Sequence, residues 1–244
     1  MSQQSADVAA PPEDDPFATI AIPKVPASDL IPPDTVRHLV SVAYGGTIPD
    51  TVQRGEVSYS VEPGLAFHTP DRIILIVRHK GLNSSHADTG HVSVFFFARD
   101  GKTIISKMPF VAFGSDWGMP PEVAAIAPAD GAFGMITAHG GGQHGESCEW
   151  LSLYVFKDDK VTAGSSFPGA YDNVGITAEI SSSRWDAARQ TLAMDYRIKR
   201  QKIDGLPGDE VISKSIRLRE IEPAWARRWP YTCGGGTLSD LPTV

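Results

Sequence analysis

Two apolar runs constrain this chain most. Arg72–Arg78 (RIILIVR) and His91–Arg99 (HVSVFFFAR) are too short for membrane helices and too continuously apolar for a surface strand. They read as neighbouring central strands covered on both faces, joined through the polar segment GLNSSHADTG. Around them the text is β throughout from about Gly55. Val57, Tyr59 and Val61 alternate, and Ala98-Arg99-Asp100-Gly101 has hairpin-turn chemistry. Three long alternating segments, Gly175–Arg184, Gln190–Lys202 and Glu210–Glu220, follow each other with short links and predict an antiparallel meander.

Ten to twelve short strands with almost no helix define an all-β chain. The expected architecture is a large antiparallel meander forming a sandwich, barrel or propeller-like sheet array. Trp185-Asp186 is a single WD dipeptide without a periodic partner, which disfavours the propeller. One short N-terminal helix is expected. Asp34 suits its N-cap, Val36, Leu39, Val40 and Ala43 fall on one face, and Gly45-Gly46 stops it. Residues 1–33, rich in Pro, Ala and acid, read as a flexible spacer, and 34–244 as a single β-rich domain.

The formal charge of −7 disfavours nucleic acid as a partner. Charge is uneven: residues 1–183 hold 11 basic and 21 acidic side chains, and 184–229 hold 11 and 7. Alternation with apolar residues makes the later basic positions, Arg197, Lys199 and Lys214, the solvated side of strands. No transmembrane segment and no leader are evident. The spacer and the cysteine pair Cys148 and Cys233, which permit one disulfide, favour a periplasmic or extracellular, bacterial-type exported protein. A cytoplasmic location is the alternative.

The segment AHGGGQHGESCEWLSLYVF, 138–156, carries the densest chemistry, read as two strands bracketing a glycine-rich loop. His139, His144 and Glu146 are candidate metal ligands, with zinc the ion such a set would take and Cys148 a fourth donor. His79, His86 and His91 flank a neighbouring loop. The string His139-Gly140-Gly141-Gly142 matches the oxyanion segment of many esterases, but no G-x-S-x-G elbow accompanies it, so a hydrolase is rejected. Cys148 with His144 as base makes a nucleophile only if Cys148 is unpaired. A ligand surface is the other reading: Asp116 with Trp117, and Tyr171 with Asp172 and Asn173, place aromatic faces beside carboxylates and amides. The sequence therefore favours a non-enzymatic binding or scaffolding domain. It would engage a partner or small ligand through loops 114–121, 139–148 and 168–174, without a cofactor. The alternative is a metal-dependent enzyme centred on 139–148, and no catalytic residue is identified.

Overall fold

In the computed structural model the described residues are 15–85, 88–143, 146–173, 175–200, 209–218 and 225–226. Twelve strands build two antiparallel sheets. The first holds β1 (Thr51–Arg54), β2 (Val57–His68), β3 (Arg72–Leu82), β4 (His91–Ala98) and β5 (Ile104–Phe113), in chain order. The second holds β6 (Glu122–Ala129), β7 (Ala132–Gln143), β8 (Glu146–Lys157), β9 (Lys160–Asn173), β10 (Ile176–Asp186), β11 (Thr191–Arg200) and β12 (Glu210–Arg217), again in order. Every pairing joins sequence neighbours, as an unbroken meander requires. The array is a sandwich with half-barrel character, without propeller blades.

The apolar runs occupy the centre of the first sheet, where β3 and β4 pair from Arg72–Ala98 to His79–His91. Ile73 through Val77 are all buried, because the strand faces two cores. Ile74 and Ile76 point with Val92, Val94 and Phe96 toward Met135 and Phe156 of the second sheet. Ile73, Leu75 and Val77 point the other way, with Phe95 and Phe97, under the helix α1 (Pro33–Ala43). The third core lies in the trough of the second sheet, around Ile136, Leu151, Phe167, Leu192, Tyr196 and Ile198. That sheet curls until its last strand meets β9: Ser165 Oγ donates to the Arg217 carbonyl at 2.6 Å. Arg197 and Lys199 are exposed as expected. Lys214 is half-buried, its ammonium 5.9 Å from the Trp225 ring centre.

Helix α1 buries Val36, Leu39, Val40 and Ala43, as the periodicity predicts. Its cap differs. Pro32 stands at the N-cap without a side-chain bond, Pro33 opens the helix, and Asp34 falls within the first turn. Proline at the first helical position has no N–H to satisfy, so the chain needs less from a capping side chain, while Asp34 still favours the positive helix end. Gly45 and Gly46 end the helix at φ +85° and +110°.

The described part of the expected spacer is held in place. Phe17, Ile20 and Ile22 enter the trough core, Val25 the core between the sheets, and Ile31 the core under α1. Its backbone is paired too: Val25 N–H donates to Ala125, Ile31 N–H to Ala66, and Ala127 N–H to Pro23. Isolated apolar residues between prolines show no period, so their burial was not readable as a pattern. Residues 1–14 lie outside the described residues.

Phe67 joins the layers. It is fully buried, opposes Ile74, and its ring lies 6.0 Å from Phe133 and 6.4 Å from Phe156 of the other sheet. Truncating it removes its ring contacts with the second sheet and leaves a cavity between the layers. Phe67→Ala is expected to lower stability by about 3–5 kcal/mol in denaturant unfolding, with the slope unchanged.

Candidate functional site

The second sheet is entered through residues 114–121, a structured loop as the sequence predicts. A bridge between Ser115 and Met119 closes it, with Trp117 and Gly118 at φ +60° and +71°. It interlocks with the segment between β3 and β4 through backbone bonds. Gly81 N–H donates to Gly118 O, Gly118 N–H to Asp88 O, Gly90 N–H to Met119 O, and Gly114 N–H to Gly90 O. The packing is tight enough to demand glycine. A Cβ on Gly81 would stand 2.9 Å from Gly118 Cα, and one on Gly114 would stand 1.9 Å from the Met119 carbonyl oxygen.

The glycine-rich stretch, expected as a loop, is strand. β7 runs on to Gln143 and β8 starts at Glu146, with Gly140, Gly141 and Gly142 opposite Glu149, Cys148 and Ser147. Glycine weakens a strand interior, but it allows another segment to lie on the strand. Here that segment is the 114–121 loop. Ser115 Oγ accepts the Gly140 N–H at 2.8 Å, and the Asp116 carboxylate lies over Gly141, 3.1 Å from where a Cβ would be.

The 168–174 segment, also expected as a loop, is strand as far as Asn173. It pairs with the same hairpin end, Tyr171 opposite Cys148 and Asp172 opposite Ser147. The Asn173 amide donates to Glu146 at 2.8 Å and to the Tyr171 hydroxyl at 2.9 Å. All three segments named from the sequence thus meet at one end of the second sheet. Asp116, Trp117, Tyr171, Asp172 and Asn173 all lie on them. Trp117 is 60% exposed, and Leu82 and Met119, which flank the Gly81–Gly118 contact, are exposed as well. Trp150 is half-buried beside Pro168.

The metal reading required one loop folded around an ion. His139 and Glu146 instead stand on paired strands, His139 opposite Trp150 and Glu146 opposite Gln143. Four residues along a strand separate them, about 13 Å. His144 lies outside the described residues, among which no group of three or more His, Cys, Asp or Glu side chains is placed to hold a metal ion. Burial holds the His139 imidazole down to about 4. Cys148 Sγ sits 3.8 Å from the Gly141 carbonyl oxygen; Cys233 lies outside the described residues.

Glu149 had no sequence signal of its own, whereas His79 and His91 belong to the histidine group named from the sequence. Glu149 opposes Gly140, and its carboxylate folds over Gly169, the unpaired residue of a bulge in β9. Burial pushes this carboxyl up, whereas hydrogen-bond donors hold Asp88, Asp100 and Asp195 down. On the first sheet, His79 and His91 oppose each other across β3 and β4, both buried. His86 lies outside the described residues.

The contacts at the glycines predict unequal responses. Gly114→Ala sets a methyl group against backbone and is expected to cost about 1–3 kcal/mol. Gly141→Ala meets the Asp116 carboxylate at 3.1 Å, which has to yield by only a few tenths of an ångström, and is expected to cost less, under about 1 kcal/mol. Thermal unfolding of the two variants checks both. No protein family model matches the chain, and neither a curated protein nor a solved structure matches it.

Proposed function

We propose that this chain is a non-enzymatic binding domain that recognises a protein partner at the joined end of 114–121, 139–148 and 168–174. One observation carries the reading: the loop that presents Trp117 is seated on the glycine-rich strand by the Ser115–Gly140 bond and the Asp116–Gly141 contact. A large aromatic side chain held on a fixed backbone binds with little loss of conformational freedom, as interface anchors do. The three segments contain Asp116, Glu146 and Asp172 and no Lys or Arg, which favours a neutral or cationic partner surface over an anionic one.

Panning a random peptide library displayed on phage against the full chain tests this. Enriched peptides are expected to lose at least tenfold in affinity for Trp117→Ala and for Asp116→Ala, while both variants unfold at the parent temperature. Peptides that bind parent and variants equally, or a library that yields none, would contradict it.

Export belongs to the same reading, through the one disulfide that Cys148 and Cys233 permit. Peptide mapping without reductant, on protein made in an oxidising compartment, is expected to recover the two cysteines as one linked pair. Recovery of both as free thiols would remove the support for export.

A further inference from the structure

We infer that His79 and His91 form a proton-sensitive latch that keeps the 114–119 loop closed at neutral pH and releases it in mild acid. The inference goes beyond the binding reading and holds whatever the loop recognises.

The Arg54 guanidinium places Nη1 3.1 Å from both ring nitrogens of His91. One Nη1 cannot lie in line with both lone pairs, so the contact sets a cation against the His91 ring, beside which a second positive charge is disfavoured. Arg54 is kept there by lying 5.1 Å from the Phe110 ring centre and 5.6 Å from that of Phe113. His79 is tied differently. Its Nε2 is 2.7 Å from Ser93 Oγ, the same oxygen that accepts the Phe110 N–H at 3.0 Å. Its Nδ1 is buried without a partner. Both rings pack on Phe110, whose φ of +53° is unusual for so bulky a residue.

Few charges are available to welcome a proton. Arg54 faces His91 from β1 and Tyr59 faces it from β2. From β5 the face contributes Phe110, Phe113 and, beyond them, Lys107 over Phe95, which donates to the Ala43 carbonyl of α1. Asp88, near Tyr59, already accepts the N–H and hydroxyl of Ser85. A proton on His91 therefore adds a buried cation beside Arg54 and His79, and a proton on His79 adds one to a buried site next to His91, with no described carboxylate bonded to either ring.

The latch is stitched to the loop on both sides. Gly90, next to His91, donates to Met119 and accepts from Gly114. Phe110, bonded to Ser93, stands four residues before Gly114 in the chain.

Burial holds both imidazoles down to about 4; at His91 the charges of Arg54 and His79 add to the effect, and a hydrogen bond to the Ala112 backbone opposes it without reversing it. Once released into water each titrates near 6.5. As pH falls from about 6.5 to about 4 the opened form takes up protons that the closed form refuses. Opening then gains roughly tenfold per pH unit for each histidine, and nothing further below 4.

Amide hydrogen exchange of the full chain at pH 7.5 and 5.5, corrected for intrinsic rates, measures this at residues 90–93 and 110–119. The opening constant is expected to rise about a hundredfold, and by no more than threefold in a folded His79→Gln/His91→Gln variant. Imidazole NMR of the unmodified protein gives an answer even if the variant fails to fold: both rings should stay neutral at pH 5.5 in the closed form. A parent opening constant that changes less than threefold, or rings that titrate near 6.5 while the loop stays protected, would overturn the latch.

Discussion

The approach of Gly81 to Gly118 governs how the two sheets meet. The chain leaves the first sheet at Phe113 and enters the second at Glu122, and in between it must cross the open end of β3 and β4. Two backbones within a Cβ's width of each other allow that crossing to be hydrogen-bonded along its length. Without it, the loop would bring neither Ser115 to Gly140 nor Asp116 to Gly141, and Trp117 would hang from a tether. The first sheet thus fixes a feature on the second.

The same contact puts three kinds of chemistry into one neighbourhood. Exposed apolar side chains, Leu82, Trp117 and Met119, lie outside. A glycine-rich strand without Lys or Arg lies to one side, with Glu149 drawn over the Gly169 bulge. A buried histidine pair with its arginine lies to the other. Each is bonded to the loop or lies within a few residues of one that is.

Much of the fold was legible because it depends on local pattern. The Ile73–Val77 run follows from its unbroken apolarity, the Asp100-Gly101 turn from its turn residues, and the 176–200 strands and the buried face of α1 from side-chain period. The three site segments were named from composition; the loop at 114–121 was legible, but the strands at 139–148 and 168–174 were not. A glycine run carries no alternation, so Gly140–Gly142 looked like a loop until its pairing with Ser147–Glu149 was seen. Phe17, Ile20 and Ile22 are buried by contacts remote in sequence, which spacing cannot show. Nor does any local rule place Phe110 at positive φ or bring Arg54 from β1 onto His91 of β4. Those depend on where the β1–β2 hairpin falls across the sheet.

Residue-resolved amide exchange at neutral pH, read at Gly81, Gly90, Gly114, Gly118 and Gly140, tests the central claim most directly. The account predicts that these five amides are protected together, to the level of their neighbours in β3 and β4, because each donates to an acceptor of the interlocked loop or of the segments it joins. Exchange of the five at free-peptide rates while β3 and β4 remain protected would show that the loop is not built into the fold, and would contradict it.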